Sequence, residues 1–108
     1  MRIDIRPSEG FPGASVALAR KRLEFALGRF ADRVRSLTVR LTDVNGPRGG
    51  PDKRCLIAVR LTRPGRVIVI EDVDADHNVA ISRAAERTSR AVSRAVQSAR
   101  DWRVLRGG

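Results

Sequence analysis

The sequence predicts an α+β fold with the element order β-α-β-β-β-α, in which a four-stranded sheet carries both helices packed on one face. Four short segments, at residues 2–6, 35–44, 55–63 and 66–72, have the alternating or β-branched composition of strands. Two longer segments repeat their apolar residues every three or four positions, as helices do. No repeat or linker interrupts the 108 residues, which indicates a single domain.

The first strand, residues 2–6, alternates isoleucine with charged side chains, and a proline-glycine break precedes the first helix. Ser15 is the predicted cap of that helix, which is expected to end near Phe30. Its apolar face consists of Val16, Ala19, Leu23, Ala26, Leu27 and Phe30. Leu18 and Phe25 lie on the opposite side, so we expect this helix to contact something besides the sheet, such as the flank of the second helix.

Three further strands follow the first helix. Residues 35–44 and 55–63 alternate apolar with polar side chains, whereas residues 66–72 are continuously apolar and β-branched, which predicts a more buried strand. The segment NGPRGGPDKR at 45–54 is dense in turn-forming residues and predicts a long hairpin loop.

The last helix carries two stripes of residues. Its acidic lead-in, EDVDAD at 71–76, offers Asp74 or Asp76 as the cap. The predicted buried stripe is Ile81, Ala85, Thr88, Val92, Ala95 and Ala99, and the second stripe is Arg83, Arg87, Arg90 and Arg94. Two residues turn a helix by about 200°, so the arginines point away from the core. With Glu86 as the acid among them, we expect another molecule to neutralise these charges.

The net charge of +10 indicates a polyanionic partner. Twenty of the 22 cations are arginines, whose planar guanidinium suits phosphate groups and base edges. A solvated helix face is the alternative explanation, but such faces usually mix both signs. We therefore interpret the arginine stripe as an RNA-binding surface. The cations expected to extend it are Lys21, Arg22 and Arg29 on the first helix. The expected secondary contacts are Arg20 on that helix and Arg48, Lys53 and Arg54 of the loop.

Catalytic and metal-dependent functions have little support in the sequence. Cys55 and His77 are the one cysteine and the one histidine. Cys55 falls on the inward side of its strand and is predicted to be a small core residue, and His77 a surface residue in the first turn of the helix. Helix capping accounts for the acids at 71–76 without a metal. We expect no enzyme activity, no cofactor, no metal and no small-molecule substrate.

The chain has no apolar run long enough to span a bilayer and no signal-peptide core at its N-terminus. These features predict a cytoplasmic protein without a membrane partner. We expect one RNA-binding domain over residues 1–102, with Trp102 closing the end of the core, and a flexible tail at 103–108.

Three segments resemble one protein family: RLEFALGRFADRV at 22–34, LTVRL at 37–41 and EDVDADHNVAISRAAERTSRAV at 71–92. The last has the family's acidic lead-in, the pattern D-x-x-x-A-I-D-R-A and a basic helix. The residues that match this pattern are Asp76, Ala80, Ile81, Arg83 and Ala84. Over about residues 1–100 the chain therefore resembles the ribosome hibernation-promoting factor family, also called ribosome-associated inhibitor or sigma-54 modulation proteins.

This resemblance implies a double-stranded-RNA-binding-domain-like fold and a translation inhibitor that acts under stress or slow growth. It also implies binding to small-subunit rRNA in the channel between head and body, where tRNA and mRNA sit. Carried over by position, the RNA-binding residues are Arg83, Arg87, Arg90 and Arg94, with Lys21, Arg22 and Arg29 as helpers. Because the sequence stops at Gly108, we expect the C-terminal dimerisation domain of the family's long form to be missing.

Two alternatives remain open at this point. A regulator that binds an acidic protein, such as a transcription component, would use the same basic face. A double-stranded-RNA-binding domain proper would begin at a helix and open its last helix with lysines, whereas this chain has an extra first strand and acids at that place.

Overall fold

Four strands and two helices follow one another in the predicted order. Their bounds are β1 (Arg2–Pro7), α1 (Gly13–Leu27), β2 (Val34–Asp43), β3 (Lys53–Leu61), β4 (Val67–Asp74) and α2 (His77–Gly107), with a 3₁₀ turn (Gly28–Phe30) after α1. The structure, a computed structural model, describes residues 1–43, 52–62 and 65–107, and describes side chains as far as Ser98. The predicted α+β class is confirmed.

The strands form one sheet in the order β1-β2-β3-β4. β1 runs parallel to β2, with Ile3 opposite Leu37 and Ile5 opposite Val39, and the other neighbours are antiparallel. A parallel pair cannot be joined by a tight turn, so α1 crosses over one face of the sheet between β1 and β2. This order leaves β1 and β4 as the two edges of the sheet.

One face of the sheet is buried and the opposite face is open. Alternate residues of β2 and β3, such as Val39 and Ile57, are fully buried, because side chains of a strand point to opposite faces in turn. Leu23 of α1 and Ile81 of α2 are buried in the same core. The other buried apolar residues are Ala19, Leu27, Val34, Leu37, Leu41, Cys55, Val59, Leu61, Ala80, Ala84, Ala85, Val92, Ala95 and Val96. Both helices therefore cover one face, as predicted.

The two helices lie side by side and run in the same direction. Near the start of α1, Ser15 donates its hydroxyl to Oδ1 of Asn78 at 3.5 Å. Near its end, the carbonyl oxygen of Ala26 accepts a hydrogen bond from Ser89 at 3.2 Å. Residues 15 and 26 of α1 are as far apart in sequence as residues 78 and 89 of α2, and the earlier residue of α1 contacts the earlier residue of α2. The two helix axes are therefore parallel. The outer faces of α1 and α2 consequently form one continuous surface.

One prediction about α1 is wrong, and another is confirmed only in part. The helix begins at Gly13 with Pro12 at the N-cap and no side-chain cap, and Ser15 is instead buried against α2. Leu18 is half-buried, but Phe25 is 89% exposed. α1 does contact the flank of α2, as predicted, but the contact is made at Ser15 and Ala26 and leaves Phe25 uncovered.

β4 is less buried than its continuous apolar run predicts. It is an edge strand, and Val67 and Val69 are 52% and 60% exposed on the open face of the sheet. Ile68 and Ile70, between and beside them, pack against the core. β-Branched residues favour a strand wherever it lies in a sheet. The run therefore identified a strand correctly. Both described helices lie on the other face of the sheet, so half of the side chains of β4 are exposed.

The strand β3 begins earlier than the sequence predicts. Lys53 and Arg54, expected in the hairpin loop, are strand residues that lie opposite Asp74 and Val73 of β4. Arg48 and the rest of the loop at 44–51 lie outside the described residues.

Asp76 caps α2. Its Oδ1 accepts hydrogen bonds from the backbone N–H groups of Asn78 at 2.8 Å and Val79 at 3.4 Å, which satisfies donors that have no partner inside the helix. Of the two predicted caps, Asp74 belongs to β4. The helix continues past residue 102 to Gly107. The side chains of Ala99 and Trp102 lie outside those described, and the tail at 103–108 stays a prediction.

Two substitutions in α1 test this packing. Leu23→Ala is expected to lower the free energy of unfolding by about 2–5 kcal/mol, because the side chain is 1% exposed and its removal leaves a cavity. Phe25→Ala is the matched control, with an expected change within about 0.5 kcal/mol, since the ring packs against little and alanine favours a helix. Urea unfolding followed by circular dichroism measures both. Equal losses would contradict the orientation of α1.

Candidate nucleic-acid interface

Four arginines lie along the outer face of α2. The side chains of Arg83, Arg87 and Arg90 are 48%, 50% and 65% exposed, and Arg94 is exposed as well. On the opposite side of the helix, the buried residues include Ile81, Ala85, Thr88, Val92 and Ala95. All four arginines are exposed, as predicted, but Arg83 and Arg87 extend toward the edge strand β4 and not directly away from the core.

Two of these arginines reach the acidic end of β4. Nη2 of Arg83 lies 3.0 Å from Oδ1 of Asp72 and 2.8 Å from Oδ2 of Asp74. Nη1 of Arg87 lies 3.4 Å from Oδ2 of Asp72. The expectation that another molecule neutralises the arginines is therefore wrong for Arg83 and Arg87, which pair with carboxylates of the same chain. The carboxylates of β4 are distant in sequence, and the packing of β4 against α2 brings them beside the helix.

The same two arginines also bind the backbone of β4. Arg83 donates to the carbonyl oxygen of Val73 at 3.2 Å, and Arg87 donates to that of Glu71 at 2.7 Å. Carbonyls two residues apart point to the same side of a strand, and β4 is an edge of the sheet. Unpaired edge groups invite pairing with other chains, and charged side chains prevent it. Arg83 and Arg87 therefore protect the edge of the sheet.

The positive charge on α2 is less compensated toward its C-terminal half. Arg90 forms an ion pair with Glu86, one turn earlier. Both partners are more than half exposed, at 65% and 62%, so solvent screens the pair and it adds little to stability. Arg94 makes no ion pair with the part of the chain whose side chains are described. Arg90 and Arg94 are thus the more available cations of the stripe.

α1 and the 3₁₀ turn after it present three more exposed cations: Lys21 and Arg22 on the helix, and Arg29 in the turn. The guanidinium of Arg29 lies 4.6 Å from the centroid of the Phe30 ring, a cation–π contact that holds it at the end of the helix. Arg22 and Arg29 also line a groove of about 530 Å³ between the two helices. We call the joint outer face of α1 and α2, with its seven cations, the helical surface. Its members are Lys21, Arg22, Arg29, Arg83, Arg87, Arg90 and Arg94.

The groove also contains Phe25, which the sequence analysis did not place among the site residues. Lys21 and Arg22 lie one turn before it and Arg29 one turn after it. Residues three and four apart on a helix are neighbours. The sequence therefore already contained the pattern that indicates this site, an aromatic residue on the polar side of the helix with cations on the turns to either side.

Two of the expected secondary cations point elsewhere. Arg20 donates to the carbonyl oxygen of Ile3 at 3.4 Å, on the side of α1 that faces β1. Arg54 pairs with Glu71 at 2.6 Å. Glu71 alternates with the inward-facing residues of β4, so this pair lies on the open face of the sheet. The structure therefore does not bring Arg20 and Arg54 together with the helical surface.

Lys53 is engaged at the base of the β2–β3 hairpin. Its Nζ donates to the carboxylates of Asp43 and Asp52 at 2.8 and 2.9 Å. These two hydrogen bonds, that to Asp43 first, raise the pKa of Lys53. Lys53 therefore serves to hold the hairpin ends together.

Cys55 and His77 are both engaged in packing. Cys55 is 1% exposed, and burial together with the negative charge of Asp72 raises the pKa of its thiol to about 12. A thiol with that pKa is not a nucleophile near neutral pH, and the predicted core role is confirmed. The His77 ring packs edge-on against Phe11, with centroids 4.5 Å apart, so it is half-buried and not the surface residue predicted.

Within the described ranges, no group of three or more histidine, cysteine, aspartate or glutamate side chains is placed to hold a metal ion. None of the helices in that part of the chain combines the length and apolar composition needed to cross a membrane.

Two solved structures are similar to this chain over most of its length. The N-terminal domain of protein Y from Thermus thermophilus superposes with a TM-score of 0.68 at 28% sequence identity, covering 87% of this chain and 98% of that one. A ribosomal subunit interface protein from Coxiella burnetii superposes with a TM-score of 0.68 at 16% identity, covering 90% and 99% respectively, and shares the fold. No protein-family model matches the sequence, and no curated protein sequence matches it significantly.

The contacts of Asp74 make part of the stability depend on pH. The backbone N–H of Asp76, which donates to Oδ1 at 2.9 Å, and then Arg83 hold the pKa of Asp74 below its ordinary value of 3.8. The folded protein therefore binds this proton less tightly than the unfolded chain does. The resulting stabilisation is present above pH 3.8 and is lost as the pH falls through the lowered pKa.

Asp74→Asn tests this linkage through unfolding free energies measured across the acidic range. We expect the difference between the parent protein and the variant to be constant above about pH 5 and to shrink at lower pH, as the carboxylate becomes protonated. Two curves that stay parallel down to acid unfolding would show that Asp74 has no shifted pKa.

Proposed function

We propose that this chain, whose resemblance to the ribosome hibernation-promoting factor family is confirmed by the Thermus likeness, is a non-catalytic, ribosome-associated inhibitor of translation. It binds small-subunit rRNA in the decoding region, in the channel for tRNA and mRNA, with the helical surface against the RNA. Occupation of that channel excludes tRNA and mRNA, so the ribosome is held inactive in the cytoplasm during stress or slow growth.

The helical surface is the observation that carries this proposal. Its seven cations are all exposed and lie on two parallel helices and on the turn that follows α1. From Arg83 to Arg94 the stripe is roughly 16 Å long at the usual rise of a helix, enough to contact several phosphates. Backbone phosphates supply most of the affinity of such surfaces, and their contacts are independent of sequence.

The arginines of α2 are expected to contribute unequally. For Arg83 and Arg87, a phosphate has to compete with Asp72, whose side chain is 12% exposed and lies between the two guanidinium groups. For Arg90 the competitor is the exposed Glu86, and Arg94 has no described acid beside it. Arg90 and Arg94 should therefore carry more of the RNA affinity, and Arg83 and Arg87 more of the stability.

A double substitution, Arg90→Ala with Arg94→Ala, tests the proposal. We expect weaker binding to purified small ribosomal subunits, with a salt dependence of log K that is shallower by about 1.4–1.8, because two phosphate contacts are lost. Fluorescence anisotropy of the labelled protein at several salt concentrations measures both quantities. The free energy of unfolding should remain nearly unchanged, since both side chains are exposed.

The matched control removes the same charge from the open face of the sheet. Arg35→Ala with Arg60→Ala changes two residues that line a shallow depression on that face, and binding and salt dependence should stay as in the parent protein. Equal weakening by both pairs would show that net charge, and not the helical surface, determines binding. A parent protein that never sediments with ribosomes at low salt would refute the proposed function.

RNase treatment separates this function from the alternative of an acidic protein partner. Association through rRNA should be lost when a cell extract is digested before the tagged protein is captured. An association that survives digestion, and that the double substitution still abolishes, would instead favour a regulator that binds an acidic protein.

A further inference from the structure

We infer that Phe25 is a stacking residue for an unpaired RNA base, seated at the groove between α1 and α2. The inference rests on the proposed function and deepens it, since it adds a contact to a base where the arginines supply contacts to phosphates. It also distinguishes the kind of RNA bound, because a base must be unpaired to lie on the ring.

The surroundings of Phe25, more than its exposure, support this role. Single exposed apolar side chains are common on proteins and need no explanation. Phe25, however, is 89% exposed and has Lys21, Arg22 and Arg29 on the adjacent turns of the same side. An aromatic face among cations is the arrangement by which proteins hold single-stranded nucleic acid, with the cations following the backbone and the ring receiving a base.

The groove beside Phe25 has room for a base. Its volume is about 530 Å³, and four of the residues that line it are small: Ala26 of α1, and Ser82, Ala85 and Ser89 of α2. The hydrogen bond from Ser89 to the carbonyl of Ala26 joins the helices across this groove, so the groove exists before any ligand enters. A preformed site loses less entropy on binding.

The charge of the groove favours RNA over an apolar protein segment. Glu86 is the acid among the residues that line it, and it is paired with Arg90. The net charge of the groove is therefore positive and comes from Arg22 and Arg29. An apolar helix docked here would bury both guanidinium groups without partners, which costs free energy. A nucleotide brings a phosphate for them together with a base for the ring.

Phe25 also supplies an aromatic face, which the open face of the sheet lacks. The strands contain no aromatic residue, so the sheet offers no platform for bases of the kind that RNA recognition motifs use. Phe25 places an aromatic face on the helices, beside the cations.

Three substitutions at Phe25 test the inference. Phe25→Ala removes the ring, Phe25→Leu keeps an apolar side chain without a π face, and Phe25→Trp keeps a π face. The probes are a short single-stranded RNA of mixed sequence that contains 2-aminopurine, and a fully paired RNA of the same length. We expect the alanine and leucine variants to bind the single strand about five- to a hundred-fold more weakly and the tryptophan variant to bind as the parent does.

Two further readouts belong to the same experiment. Binding of the parent protein should quench 2-aminopurine fluorescence, and the alanine variant should not quench it when saturated. Affinity for the paired RNA, and the salt dependence for both RNAs, should be the same in all four proteins, because no phosphate contact changes. The free energy of unfolding of all three variants, measured as above, establishes that each variant is folded.

The outcomes separate the inference from the proposed function. Equal binding of the single strand by parent and alanine variant would overturn the stacking role, while sedimentation of the parent with ribosomes would leave the proposed function standing. A leucine variant that binds like the parent would assign Phe25 to a general apolar contact and also overturn it. An RNase-resistant protein partner lost from Phe25→Ala would overturn it too, by assigning the groove to a protein.

Discussion

Burial of one face of a four-stranded sheet beneath two parallel helices is the constraint on which the rest of this structure depends. The parallel pair β1–β2 requires α1 to cross over the sheet, and α2 fills the remainder of the same face. Each helix then uses its apolar stripe against the sheet. The polar stripes have no direction left except outward, and because the helices are parallel and adjacent, those stripes join into a single basic surface.

The acids of β4 determine how the charge of that surface is distributed. Asp72 faces the helices from the edge strand and lies between Arg83 and Arg87, which also bind backbone carbonyls of the same strand. These two arginines therefore stabilise the edge of the sheet, whereas Arg90 and Arg94 lie beyond the reach of the acids of β4. The four arginines are equivalent in the sequence pattern but differ in the structure. Arg83 and Arg87 stabilise the sheet edge, and Arg90 and Arg94 are more available for phosphate.

The proposed function of the chain rests on this surface more than on the fold. A fold can host unrelated functions, so the likeness to the Thermus domain supports the proposal only together with the cations and their placement. The groove at Phe25 adds an aromatic contact to the same cluster of cations. Phosphate contacts give affinity without selectivity, and an exposed ring within the same cluster gives a means to prefer unpaired RNA over a duplex.

The element order, the core face of each helix, the exposure of the arginine stripe and the core position of Cys55 could all be predicted from the amino-acid sequence. They follow from short-range periodicity, because the turn per residue of a helix or strand decides which side chains share a face. The position of β4 at the sheet edge, the contact of Asp72 with the arginines and the exposure of Phe25 beside α2 became apparent in the folded molecule alone. Periodicity orients a side chain relative to its own element, whereas its neighbour across space depends on strand order, register and helix packing between segments far apart in the chain.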